Sequence, residues 1–223
     1  MSIPRRAPGG FPVVGIIGGG QLARMCAGPA AQLGITLSVL AESEDAGAAF
    51  VVPSSPVGHH TDARAVLDFA RRCDVVTFDH EHVPADVLDL LVAEGVVLHP
   101  TPGALLFAQD KLAMRERLAA LDIPCPRWVR AHGAADTTAF GDEVGWPIVA
   151  KTPRGGYDGK GVRVIDSADE LDAWLARAEP DGLLLEERVP FRRELAVLLA
   201  RSPSGQAAAW PVVETVQTDG VCT

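Results

Sequence analysis

The sequence predicts an α/β fold in two parts, a helix-covered parallel sheet over residues 1–103 and an α+β region over residues 104–223. Three observations carry this expectation. Short apolar runs alternate with helical patterns as far as residue 99, which is how a parallel sheet is written. Pro124 and Pro126 then break the chain. From Glu194 onward, apolar segments are separated by tight-turn residues, the mark of antiparallel strands.

Val13–Ile17 is a continuous apolar run ending in glycines and reads as a buried strand. A helix is expected over 21–33, a second strand over 36–41, a helix over 62–72 beginning beside Thr61, and a further strand over 74–78. Pro84 opens the next helix, where its missing N–H costs nothing, and 96–99 closes the series as a strand. This makes residues 1–103 a Rossmann-like domain. Helices over 104–107 and 109–121 follow, then a strand over 128–130. Strands over 147–151 and 161–165 flank a glycine-rich loop, and Ser167 with Glu170 forms a capping box that starts a helix reaching about residue 176. After the strand Leu183–Glu187, the segments 194–201 and 206–217 pair through the turn Ser202-Pro203-Ser204-Gly205. Thr218-Asp219-Gly220 is another turn with only Val221-Cys222-Thr223 left to pair back, so the chain is expected to be a piece lacking the C-terminal part of its second domain.

With 223 residues, 48% of them hydrophobic, the chain can bury one large core or two small ones. A formal net charge of −9 speaks against a nucleic-acid partner or an anionic membrane surface, since the average field repels both. Any anionic substrate must be held by local clusters of cations. No apolar stretch approaches the roughly 20 residues of a membrane helix. Arg5-Arg6 ahead of Val13–Ile17 has the look of a twin-arginine export signal, but the run ends at once in glycines without a cleavage site. Cys26, Cys73, Cys125 and Cys222 stand far apart with no metal-ligand spacing, as expected of reduced thiols in a cytoplasmic protein.

Gly18-Gly19-Gly20-Gln21-Leu22-Ala23 follows a strand and opens a helix, as a dinucleotide fingerprint does, with Glu42 as the candidate ribose acceptor. The same pattern also serves a smaller phosphate ligand or a purely structural turn. Gly155-Gly156-Tyr157-Asp158-Gly159-Lys160-Gly161 has four glycines in seven positions, with Lys151 and Arg154 just upstream. Glycines at that density let backbone N–H groups curl around an anion, and the cations supply charge. It is not a Walker A loop, because no Ser or Thr follows the lysine and no helix follows the loop. The plainer alternative is an unliganded hairpin loop. Glu186-Glu187-Arg188-Val189 and Glu194 form a third polar cluster, which alone reads equally well as solvated charge. His80 and His82 alternate and suggest a metal pair without an evident third ligand, while His59-His60 read as exposed loop residues, so no metal ligand is assigned.

The order of these segments, with Gln109-Asp110-Lys111 between the halves and Leu185-Glu186-Glu187 after the loop, resembles the ATP-grasp superfamily. Within it, Gly18 to Met25, Thr77-Phe78-Asp79-His80-Glu81, and Lys151 with the glycine stretch look like the N5-carboxyaminoimidazole ribonucleotide synthetases. The resemblance implies a preATP-grasp domain followed by part of an ATP-grasp domain. It further implies that Lys111 and Lys151 touch ATP phosphates and that Gly155, Gly156, Tyr157, Asp158, Gly159, Lys160 and Gly161 close over them. Glu186, Glu187, Arg188 and Val189 would form the adenine linker, Glu194 would take the ribose hydroxyls, and Gln217 stands at an ATP-contact position. Gly20, Gln21, Leu22 and Glu81 would hold the ribonucleotide, and Lys151, Tyr157 and Asp158 would serve the reacting centre. Three positions depart from the family's habit: Ala23 for glycine, Asp79-His80 for Glu-Phe, and Gln217 for histidine. The implied substrates are 5-aminoimidazole ribonucleotide, bicarbonate and ATP with Mg2+, whose ligands are expected beyond residue 223, in a cytoplasmic enzyme that is a homodimer at full length. A glycinamide ribonucleotide formyl-transferring ligase, a nicotinamide-dependent oxidoreductase and a non-catalytic nucleotide sensor are the alternatives.

Overall fold

Val13–Ile17 (β1) is the middle strand of a parallel sheet, with Thr36–Leu40 (β2) on one side and Val75–Phe78 (β3) on the other. A strand covered on both faces has no reason to alternate with polar residues, hence the unbroken apolar run. Ile17 pairs with Leu40 and Phe78, so all three strands end at one edge of the sheet. The segments that follow them, Gly18 to Gly20, Ala41-Glu42 and Asp79 to Glu81, emerge together there, at the carboxyl edge where open parallel sheets bind ligands. The computed structural model describes residues 10–156, 161–175, 181–218 and 221–222. The chain divides into two units, Met1–Gln109 and Asp110–Thr223.

Successive side chains of β1 point to opposite faces, and each face has its own core. Ile17 joins Leu40, Val76, Phe69 and Leu91, packed under the helices Ala63–Ala70 (α3) and Ala85–Ala93 (α4). Ile16 and Val39 join Ala23, Ala48 and Val52 on the other face. Asp62 caps α3 by accepting from the N–H groups of Arg64 and Ala65.

The expected helix over 21–33 is two, Gln21–Met25 (α1) and Ala27–Gln32 (α2). Pro29 has no N–H to return to Met25, which breaks the ladder between them. Pro84 is the extended N-cap of α4, one position earlier than expected. The expected strand over 96–99 is a single bridge from Leu98 to Val76, because Pro100 offers no donor to extend it. The helix Pro102–Gln109 (α5) places Leu105 in the first core, so the first unit runs past residue 103.

In the second unit, the helix Lys111–Ala120 (α6) is capped by Asp110 and precedes Trp128–Ala131 (β4). The helix Ala134–Val144 (α7) was not expected, since Asp136, Thr137, Thr138 and Gly141 are weak helix formers. Tertiary packing decides it: Thr137 and Phe140 are buried, and the bare Gly141 gives the Trp146 ring its place. Ile148–Lys151 (β5), Val162–Ile165 (β6) and Leu183–Glu187 (β7) complete an antiparallel sheet in the order β4-β7-β5-β6. The capping box forms in part. Glu170 accepts from the N–H groups of Asp166 and Ser167, but a 3-10 turn, Ala168–Leu171, leads into Asp172–Leu175 (α8).

The expected strand 194–201 is split into Glu194–Ala196 (β8) and Leu199–Arg201 (β9). Their partners, Ala207–Ala209 (β10) and Val213–Thr215 (β11), are interrupted by Pro211, which cannot donate. Ser202 to Gly205 form the expected turn, and Gln217–Thr218 (β12) pairs with Val221–Cys222 (β13). Leu195, Leu198, Leu199, Trp210 and Val212 along this ribbon are all exposed.

β7 is the keystone of the second sheet, with Leu183, Leu184 and Leu185 each 0% exposed. Leu185→Ala should destabilise this unit by about 2–5 kcal/mol, read as a lower urea midpoint at an unchanged m-value.

Candidate functional site

At the edge of the first sheet, the glycine turn is held by carboxylates. Gly19 N–H donates to Glu42 Oε2 at 3.1 Å. Gly20 and Ala23 N–H groups donate to the two oxygens of Asp79, each at 2.7 Å. Gly18 has φ +104°, and a Cβ there would stand 2.8 Å from Cβ of Asp79, so this turn admits neither an L side chain nor more room. Gly18 and Gly20 therefore serve a close approach to the end of β3, and Gly19 one to Ala41 and Ala46. This corrects two expectations. Two of the helix-terminal N–H groups that would meet a phosphate are already satisfied by Asp79, and Glu42, weighed as a ribose acceptor, is bound to Gly19. Fewer of these donors are left for a dinucleotide's pyrophosphate, which weakens the oxidoreductase reading.

Gln21 and Leu22 lie exposed in the first turn of α1, and Glu81 is half-buried in the loop after β3, at the same sheet edge. Gln109 Nε2 donates to the carbonyls of Glu81 (2.8 Å) and Val83 (2.9 Å), fixing that loop. His80 and His82 lie beyond the end of β3 in a turn, with ring centroids 5.2 Å apart. His59 is exposed as expected, but His60 is not. It stacks on His59 at 4.2 Å and meets His80 edge-on at 4.7 Å. Burial and the neighbouring imidazoles push the His60 pKa down. Burial works against ionisation of Glu42, yet its own backbone, the Gly19 N–H and His80 outweigh this and hold its carboxyl below the usual range.

The second unit gathers its charges around β5 and β7. Lys151 pairs with Leu184 in the antiparallel register, which sets it diagonally across from Glu186 on one face. Lys151 Nζ reaches Glu186 Oε2 at 2.5 Å, and Arg115 Nε on α6 reaches Oε1 at 2.5 Å. Glu186 is 3% exposed. Burial opposes its charge, but hydrogen bonds and charge from Lys151 and Arg115 prevail and its pKa falls below 4.5. Arg115 was not singled out in the sequence, although it lies one helical turn from Lys111 on the same face.

The glycine stretch is anchored at both ends. Lys111 N–H donates to the Pro153 carbonyl and Lys111 Nζ to the Gly155 carbonyl, both at 2.9 Å. Arg154 Nε meets Asp110 Oδ2 at 3.0 Å, and Thr152 N–H donates to Gly161 O at 2.9 Å. Gly155 and Gly156 have φ +65° and +76°, the left-handed region that side chains avoid. Tyr157, Asp158, Gly159 and Lys160 lie outside the described residues. Lys111, Lys151, Gly155, Gly156 and Gly161 are thus gathered at one end of the sheet by β5, β6 and α6, a cationic, glycine-lined arrangement able to accept a polyanion.

The remaining expected residues are less concentrated. Glu187 is bound to Arg127 through its N–H (2.9 Å) and Nε (2.8 Å), while Arg188 and Val189 leave β7 exposed. Glu194 opens β8 and Gln217 lies opposite Cys222, both exposed.

Residues 12–109 match the model of the ribonucleotide synthetase preATP-grasp domain and residues 116–223 that of the ATP-grasp domain. The chain is 52% identical over 213 residues to the N5-carboxyaminoimidazole ribonucleotide synthase of Mycobacterium tuberculosis, covering 95% of this chain and 50% of that protein. It is 49% identical to the same-named protein of Mycobacterium leprae, covering 100% and 53%. The chain spans about half the length of the curated relatives it matches. Among solved structures, it superposes on N5-carboxyaminoimidazole synthetase from Staphylococcus aureus complexed with ADP (TM-score 0.86, 26% identity, 100% of this chain and 59% of that one). It also superposes on the Aspergillus clavatus synthase in complex with ADP and 5-aminoimidazole ribonucleotide (0.80, 28%, 95% and 55%).

Because the folded pKa of Glu186 lies below its unfolded value of 4.5, its stabilising contribution is complete above pH 4.5 and is lost as pH falls through the folded value. Glu186→Gln, which strands two partly buried cations, should cost about 3 kcal/mol at neutral pH. That difference should shrink in urea melts run at progressively more acid pH. Asp79→Ala should independently weaken the first unit by about 1–3 kcal/mol, seen as a lower urea midpoint.

Proposed function

The chain belongs to the N5-carboxyaminoimidazole ribonucleotide synthase family of ATP-grasp ligases, and we propose that it supplies the ATP lid and the ribonucleotide-binding wall for ATP-dependent carboxylation of 5-aminoimidazole ribonucleotide in purine biosynthesis. The observation that carries this reading is the placement of Lys151 at the end of β5, with Lys111 anchored against the left-handed Gly155 and Gly156.

In this reading, the Lys111 and Lys151 ammonium groups lie along the ATP phosphates. The glycine stretch, hinged at Thr152 and Gly161, closes over them with Tyr157, Asp158, Gly159 and Lys160. A bicarbonate oxygen attacks the γ-phosphorus and ADP leaves, giving carboxyphosphate. The ribonucleotide amine then attacks the carboxyl carbon, phosphate departs, and the nitrogen loses a proton to leave the carbamate. Such transfers ask mainly for positioning and charge neutralisation, and carboxyphosphate demands a dry site. Glu186 orients Lys151 from beneath, and Glu187, Arg188 and Val189 run on as the adenine linker. Glu194 receives the ribose hydroxyls, and Gln217 stands near the nucleotide. Gly20, Gln21, Leu22 and Glu81 hold the ribonucleotide on the first unit, a reading supported by the fixed loop around Glu81.

Magnesium bound to the ATP phosphates would neutralise charge during transfer. Glu186 and Asp110, the carboxylates beside the two lysines, are already engaged by Lys151, Arg115 and Arg154, so no residue of this chain is assigned to the metal. Among the described residues no helix is long and apolar enough to cross a membrane, and a cytoplasmic homodimer completes the proposal.

In enzyme of the relatives' length, Lys151→Ala should lower ADP release that depends on aminoimidazole ribonucleotide and bicarbonate by about 100-fold or more. Unchanged turnover would overturn the assignment, and equal turnover with glycinamide ribonucleotide and formate would redirect it to the formyl-transferring ligase.

A further inference from the structure

We propose that Glu42, His60 and His80, at the carboxyl edge of the first sheet, form a binding site for a borderline divalent cation of the zinc class. Three distant stretches of sequence bring these side chains together. Glu42 follows β2, His80 follows β3, and His60 lies in the loop before α3. One ligand atom from each can be chosen so that all lie within 4.8 Å of one another. Ligands on a tetrahedral zinc at about 2.1 Å stand roughly 3.4 Å apart. The set thus needs a contraction of at most about 1.4 Å, which side-chain rotations can supply.

Each member is already oriented from behind. Gly19 N–H holds Glu42 Oε2 and leaves Oε1 facing the imidazoles, 3.5 Å from His80 Nε2. His82 N–H donates to His80 Nδ1 at 3.2 Å, which turns Nε2 toward the carboxylate. His60 is braced by its stack on His59. Its Nδ1 is buried with no hydrogen-bond partner, a cost that a native interior seldom carries without a reason. A cation bound through that nitrogen would remove the cost. A water can take the open position.

The donor set decides the class of ion. Two imidazoles and one carboxylate suit Zn2+, Co2+ or Ni2+, whereas Mg2+ and Ca2+ favour all-oxygen shells. Cys73 lies against the first core rather than in this group, so no thiolate takes part. The site shares no residue with the lysine cluster of the second unit, and its existence does not depend on the ligase reading.

The test is titration of the intact chain with Zn2+ and with Co2+ in chelator-free buffer. One equivalent should bind, raise the melting temperature reversibly with EDTA, and give a Co2+ spectrum without thiolate charge transfer. His60→Ala and Glu42→Gln should each weaken binding about tenfold or more, while His132→Ala and Cys26→Ser leave it unchanged. Far-UV circular dichroism and metal-free melting of each variant establish that it folds. Should His60→Ala be misfolded, Glu42→Gln alone decides. Absence of a zinc-dependent stabilisation, unchanged affinity in the folded variants, or binding that Cys26→Ser removes would overturn the proposal.

Discussion

A carboxylate enclosed between two strands of a sheet is expensive unless cations accompany it inside, and Glu186 has two. Lys151 comes from the neighbouring strand and Arg115 from α6, so one buried charge ties the helix to the sheet and fixes the lysine at the strand end. Removing the anion would leave two cations repelling each other in a poorly solvated place. The same geometry gives Lys151 a defined position without spending it in a surface pair. An incoming polyanion would then meet an ammonium group already aimed, with little side-chain entropy left to lose.

The first unit solves a related problem with opposite signs. A helix beginning beside the ends of parallel strands exposes N–H donors, and the common solution is an anionic ligand. Here Asp79 and Glu42 occupy several of those donors. The turn is thereby rigid before any ligand arrives, and its first-turn side chains, Gln21 and Leu22, are left outward on a fixed platform.

Most of the architecture was legible because its signals are local. The run Val13–Ile17, the turn after Arg201 and the charged end of β7 each announce themselves within a few residues. What the sequence does not announce depends on partners far away along the chain. Asp79 binds the helix N-cap Gly20, 59 residues before it, and Arg115 meets a carboxylate 71 residues later. A glycine-rich turn therefore reads the same whether its donors await a phosphate or are already occupied. Helix α7 was missed for a similar reason, since Gly141 weakens the local signal and only the packing of Trp146 reveals why it is there. His60 looked like a loop residue until the fold laid it against His80.

The ribbon of β8 to β11 carries a practical cost for anyone handling this polypeptide. Its leucines and Trp210 face water along short strands that each have only one partner strand among the described residues. Such a surface is adhesive toward any similar edge, and crowding two molecules together would start there. The net charge of −9 supplies a counterweight that depends on ionic strength. Concentrated stocks in high salt are consequently the condition under which clumping would begin, and dilute low-salt buffer the one that restrains it.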